Sequence, residues 1–138
     1  MPAIYTLRHT IVEGEIDQQG HVNNVEYVKW MQQAAVEHST AQGWPPQRYE
    51  RLGSVWVVRS HTIEYLQPAF LGQSIEVETW VVDFRKIQSR RKYKIVRPSD
   101  AALLATAETN WAFIGLEHHV PRRVPQELID SFEVVDEA

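Results

Sequence analysis

The chain contains no cysteine. Disulfides, thiolate metal sites and a cysteine nucleophile are therefore excluded, and a reducing compartment is weakly favoured. The chain also lacks a Gly-x-Gly-x-x-Gly turn and a phosphate-binding P-loop, so neither nucleotide fold has support. Gly53-Ser54 is not set in Gly-x-Ser-x-Gly, which removes the nucleophile elbow. No apolar run is long enough to cross a bilayer. The start, MPAIYTLRHTIVEGE, alternates like a strand and has no charged end followed by an apolar stretch, as an export signal would. The expectation is a soluble, cytoplasmic protein.

Net positive charge is absent as well. The formal net charge is −4, so bulk electrostatics give no support to binding DNA or RNA. Basic residues concentrate in RKIQSRRKYKIVR, Arg85–Arg97, where no acid interrupts them. Such a strip serves equally as a solvated strand face or as a contact for an anionic group on a small ligand. The six histidines have no metal-ligand spacing. His118 and His119 are neighbours, which point to opposite faces of an extended chain. No metal and no cofactor is expected.

What remains is an ordinary globular composition, with 43% apolar and 23% charged residues, and five Trp, five Tyr and four Phe to fill a core. At 138 residues the expectation is one domain spanning residues 1–138. Ile4 to Glu13 alternates and predicts a strand. From Asn24 to Gln42, Tyr27, Met31, Ala34, His38 and Ala41 step by four and three, which puts them on one helical face. Asn23 can cap that helix, with Glu26 three residues on to bond back, and Gly43-Trp44-Pro45-Pro46 ends it. On this stripe His38 reads as a packed histidine. After a mostly polar connector, Ser54–Tyr65, Gln73–Phe84, Ile87–Arg97 and Leu103–Ile114 have strand character. Their short connections predict that successive strands pair antiparallel. The tail from Glu117 to Ala138 offers one helical turn at Gln126–Phe132. Strand, helix and four strands make an α+β chain, with the sheet expected to curl around the long apolar helix.

The stretch DQQGHVNN, Asp17–Asn24, runs directly into that helix. Singly, Asp17, Gly20 and the asparagines are common turn and cap residues. Together they have a further use. A helix N-terminus presents unpaired N–H groups and the positive end of the helix dipole, which can hold negative charge developing on an oxygen. A carboxylate just upstream can reach the same place as a nucleophile or general base. That pair suits attack on an activated acyl group, a thioester being apt because its thiolate leaves without a strong acid.

At this point the chain resembles a known family, the hotdog-fold acyl-thioesterases, in particular the 4-hydroxybenzoyl-CoA thioesterase-like acyl-CoA thioesterases. Four stretches carry the resemblance. They are Asp17-x-x-Gly20-His21-Val22-Asn23-Asn24 with Tyr27-Val28-x-Trp30, then Ile63-Glu64-Tyr65-x-x-Pro68-Ala69-x-Leu71-Gly72, the basic Arg90-Arg91-Lys92-Tyr93, and Ala105-x-Ala107-x-Thr109-x-Trp111. The resemblance implies a curved five-stranded antiparallel sheet wrapped around one long helix. It implies hydrolysis of an acyl-CoA to acid and CoA, with Asp17 as nucleophile or general base and the Asn24 backbone N–H as the oxyanion donor. His21 would orient Asp17 or a water, or fix the loop. Arg90, Arg91 and Lys92 would lie near the CoA nucleotide, and Asn23 and Tyr27 near the substrate. Tyr27, Trp30 and Met31 read first as core and second as acyl contacts. The expected assembly is a homodimer or homotetramer with sites at the subunit interface.

Many relatives carry His or Tyr in place of Asn24, so a side-chain role there is set aside and the backbone role kept. Plant-type acyl-ACP thioesterases match at Asp17 and His21, but Gln19 replaces their asparagine and Pro68-Ala69 their Glu-Cys pair, which favours CoA over ACP. An acyl-thioester dehydratase or hydratase, and a non-catalytic acyl-CoA-binding protein, are the alternatives.

Overall fold

A computed structural model describes residues 3–135; Met1, Pro2 and the last three positions of the tail lie outside the described residues. The elements follow the order β1 (Ile4–Thr10), α1 (Asn24–Ala41), α2 (Pro46–Leu52), β2 (Ser54–Tyr65), β3 (Ser74–Arg85), β4 (Gln88–Arg97), β5 (Ala102–Gly115) and α3 (Gln126–Asp130). Five antiparallel strands form one sheet in the order β1-β3-β4-β5-β2. The long helix packs on its inner face, which is the hotdog arrangement that the resemblance implies.

That helix forms for the reasons its sequence suggests. Its stripe of Tyr27, Trp30, Met31 and Ala34 is buried against Leu7, Ile75, Val77, Ile95 and Leu104 of the sheet. Burying each large side chain of this kind contributes about 1.5–3 kcal/mol, so the stripe holds the helix in a fixed rotation. A second apolar cluster, built on Trp44, Tyr49, Phe113, Leu128 and Phe132, fills the other end of the sheet beside α2 and α3.

The structure corrects three expectations. First, β2 pairs with β5, with Tyr65 opposite Ala105, and not with the strand that follows it. Three strand spacings of about 4.8 Å separate β2 from β3. The eight residues 66–73 bridge that gap across the open end of the curved sheet. They are tied down by Leu66 N–H to Leu104 O and by Gly72 N–H to Ile11 O. Second, the strand expected to run to Glu13 stops at Thr10, and Glu13–Glu15 form a 3-10 turn. Glu15 swings inward there and accepts the Val12 N–H at 2.9 Å. Third, the polar connector contains α2. Pro46 opens it, and Gly53, in the left-handed conformation with φ 82°, closes it.

Among the described residues, no helix is long and apolar enough to cross a membrane.

Candidate active site

The segment between β1 and α1 is folded back on itself. Ile16 and Val22 form an isolated antiparallel bridge, so the five residues between them make a closed loop. Asp17 N–H donates to His21 O at 2.9 Å and Gly20 N–H to Asp17 O at 3.1 Å. Gly20 has φ 86°, a conformation costly for any residue with a Cβ. Val22 is buried and its N–H donates to Ala69 O, while Asn23 N–H donates to Glu15 O, both at 2.9 Å. The loop is thus pinned to the connection between β2 and β3 and to the 3-10 turn after β1.

Within it, Asp17 is held by one oxygen. Oδ1 accepts the Gln19 N–H at 2.8 Å, and Oδ2 lies 3.8 Å from Nδ1 of His21. Both side chains are about a quarter to a third exposed, at 24% and 31%, so a ligand can reach the second oxygen.

The helix start then disposes of its free N–H groups unequally. Asn23 Oδ1 accepts from Val25 N–H and Asn23 O from Glu26 N–H, each at 3.0 Å. The Asn24 N–H is left with no acceptor among the described residues. This is the donor that a helix N-terminus can offer to an external oxygen. The Asn24 carbonyl is occupied separately, accepting from the Tyr65 hydroxyl at 3.0 Å. Asp17, His21, Asn23 and Asn24 line one open cleft together with Ile16, Gln18 and Gln19.

The other expected substrate residues are not in this cleft. Tyr27 is buried one turn into α1, packed at 4.9 Å from Trp30 and edge-on to Tyr65 at 5.0 Å. Burial, then the Tyr65 hydroxyl, pushes its pKa up, with Arg97 opposing. It is a core residue, as first read. The basic strip proves not to be a single surface. Successive strand residues face opposite ways, so Arg90 and Lys92 lie on the outer face while Arg91 points inward. Arg90 is bound to Asp83 Oδ2 at 2.9 Å, and Lys92 stands 3.9 Å from Glu108. Arg91 is buried and donates from Nη1 to His38 Nδ1 at 3.0 Å and to Thr79 Oγ1 at 3.1 Å. A guanidinium has no lone pair to offer, so Nδ1 of His38 is the acceptor and His38 is neutral.

Sequence reasoning missed Glu15. Its carboxylate is buried and accepts from Trp30 Nε1 at 2.9 Å and Val12 N–H at 2.9 Å, with His9 Nε2 at 2.8 Å. Burial works against ionisation, but the Val12, His9 and Trp30 contacts outweigh it and leave the pKa below the usual glutamate value. Glu15 thereby fastens the loop that carries Asp17 to the helix that carries Asn24. Its local sequence, a glutamate three residues after a valine, has no Ser or Thr to mark a capping box.

Residues 12–132 match the family model described as the thioesterase-like superfamily. The acyl-CoA thioesterase YbgC of Helicobacter pylori is 30% identical over 127 residues, covering 87% of this chain and 93% of that protein. Among solved structures, the chain is similar to Slr0204, a 1,4-dihydroxy-2-naphthoyl-CoA thioesterase from Synechocystis. The TM-score is 0.85 at 19% identity, with 93% of this chain and 94% of that one covered. SAV2348 of Staphylococcus aureus, solved in complex with CoA, gives a TM-score of 0.88 at 15% identity, with 98% and 89% covered. These two likenesses concern the fold alone.

Proposed function

The chain belongs to the thioesterase-like superfamily, and from that premise we propose that it hydrolyses an acyl-CoA thioester to a free acid and CoA. The observation that carries this reading is the pairing, in one open cleft, of a carboxylate anchored by one oxygen with a helix-start N–H that has no acceptor among the described residues. The naming of a 30% identical relative as an acyl-CoA thioesterase supports the CoA carrier.

The thioester carbonyl oxygen takes the Asn24 N–H, and the helix dipole adds to the attraction as negative charge develops there. Asp17 Oδ2 removes a proton from a water as its oxygen bonds to the carbonyl carbon. The C–S bond breaks, and the sulfur leaves with a proton as the CoA thiol. In the covalent variant Oδ2 itself attacks, CoA thiolate leaves, and water opens the resulting anhydride. His21 stands where it can orient Oδ2 or the water.

The cleft is shallow on a single chain. Val25, Tyr65, Phe70 and Leu71 expose 42–59% of their surface. Tyr65 bonds to Asn24, and Phe70 and Leu71 follow the Ala69 that holds Val22. A second copy that covers these side chains would complete the site, so we place the active form as a homodimer or homotetramer. Light scattering coupled to gel filtration tests the assembly, and a monomer at micromolar concentration would contradict it.

The experiment for the activity is a panel of acyl groups, each on CoA and on ACP, followed by thiol release. Thiol release that is faster from CoA supports the proposal. An altered acyl chain with the thioester intact, or tight binding without turnover across the panel, contradicts it.

A further inference from the structure

A second cavity, of about 230 Å³, lies beside the other end of α1. It shares no lining residue with the Asp17 cleft. Its helical wall begins at Ala35, eleven positions past Asn24, which at about 1.5 Å per residue is roughly 16 Å along the axis. The fully packed layer of Tyr27, Trp30, Met31 and Ala34 stands between the two.

The cavity is walled by aromatic rings, chiefly Trp44, Tyr49, Trp56, Phe84, Trp111 and Phe132, and among the described residues Arg91 is the only charged one in its lining. Three of its polar groups are already engaged. The Ser39 and Tyr49 hydroxyls bond to one another at 2.8 Å, and Ser89 Oγ donates to Asp83 O at 2.9 Å.

The donors are not. Both hydrogen bonds of Arg91 run from Nη1, to the neutral His38 and to Thr79. Its Nε and Nη2 have no acceptor, and no carboxylate pairs with it, among the described residues. The Nε1 of Trp44, in a side chain only 2% exposed, also has no acceptor. The Trp111 Nε1 is buried without a hydrogen-bond partner among the described residues as well. A buried cation ordinarily has an anion beside it, because taking the charge out of water is costly. Here the cation and an unmet N–H donor belong to the lining of a largely apolar space that has no acid among the described residues.

We propose that this cavity binds a small apolar monocarboxylate, with its carboxylate on Arg91 and Trp44 and its apolar body among the aromatic rings. The charge calls for an anion, and the lining rules against a strongly hydrated one such as phosphate. An engineered apolar cavity of about 150 Å³ takes benzene. The larger volume here adds room for a carboxyl group and a few carbons, which describes benzoate or octanoate. The proposal is independent of whether the Asp17 cleft cleaves thioesters.

The test titrates the full-length protein with octanoate and benzoate, and with octan-1-ol as the uncharged control. Heat is recorded in parallel with the indole N–H resonances, assigned from Trp44→Phe and Trp111→Phe. Octanoate is expected to bind about tenfold or more tighter than octanol, because a guanidinium–carboxylate contact is charge-assisted, and to move the Trp44 and Trp111 signals. Arg91→Met, close in volume, should bind octanoate and octanol alike. Should that variant fail to fold, Trp44→Phe carries the test, with octanoate weakened several-fold and octanol unchanged. Equal binding of octanoate and octanol by the wild type overturns the proposal. So does a carboxylate preference that survives Arg91→Met, or octanoate affinity unchanged in Trp44→Phe. Octanoate that binds without moving the Trp44 and Trp111 signals is bound elsewhere, which overturns it too.

Discussion

Oδ2 of Asp17 faces Nδ1 of His21 across 3.8 Å while Oδ1 is tethered to the Gln19 N–H at 2.8 Å. The carboxylate is therefore fixed at one oxygen and presented at the other, with an imidazole beside the presented one. If His21 positions Asp17 or its water, His21→Ala should lower kcat by roughly ten- to a hundredfold, the cost of a misplaced catalytic group. KM and the melting temperature should hardly move, since His21 is partly exposed and makes one long contact, 3.3 Å to Val22 O. Steady-state kinetics and a melt decide it, and an unchanged kcat would reduce His21 to a loop residue.

Asn23 ties the oxyanion donor to the stability of the helix. Its side chain takes up the Val25 N–H, so Asn23→Ala should cost about 1 kcal/mol, a drop of about 4 °C in melting temperature. Turnover should fall as well, because fraying moves the Asn24 N–H. Asn23→Ser, which can cap in the same way, should restore both. Rescue of stability without rescue of turnover would give Asn23 a separate contact with substrate.

Glu15 predicts an acid dependence of stability. A carboxylate whose folded pKa lies below its unfolded value, about 4.3, stabilises fully above that value, and the contribution is lost as pH falls through the folded pKa. Glu15→Gln should therefore cost about 1–3 kcal/mol at neutral pH, the range for hydrogen bonds to a buried charge, with the gap to wild type closing on acidification. Urea unfolding at several pH values measures it. A gap that is constant with pH would mean that the charge is not what matters.

Arg90 and Lys92 remain candidates for the CoA nucleotide from the outer face, and Arg91 does not. Replacing Arg90 and Lys92 by Ala should raise KM for an acyl-CoA by about fivefold, with the effect shrinking at high salt as exposed charges are screened. The same acyl group on a short pantetheine thiol, which has no nucleotide, should show no change. An equal effect on both substrates would remove these residues from carrier recognition.

Much of this was legible because the local signals agree with the tertiary ones. The four-and-three stepping of Tyr27, Met31, Ala34 and His38, capped by Asn23, defines α1 to within a residue, and the histidine on that stripe is packed as expected. Four features escaped for physical reasons. α2, PQRYERL, buries only Tyr49, so seven residues show no stripe, although the opening proline and closing glycine were there to be read. The pairing of β2 with β5 depends on how far the sheet curves, which no strand records in its own residues. The splitting of the basic strip was present in its alternation: Arg91 stands opposite Thr109 and Lys92 opposite Glu108, on two different faces. Reading the strip as a block of charge concealed it. Glu15 was hidden most deeply, since its partner Trp30 is fifteen residues away.

The central claim is that Asp17 performs the attack, or drives water to it, at the mouth of α1. Thiol release from the best acyl-CoA substrate by Asp17→Asn tests this most directly. The account predicts a fall in kcat of about 10²–10⁴-fold, with helical content and melting temperature retained and the acyl-CoA still bound. A folded Asp17→Asn enzyme that turns over within about threefold of wild type, far short of the loss expected on removing a catalytic base, would contradict it.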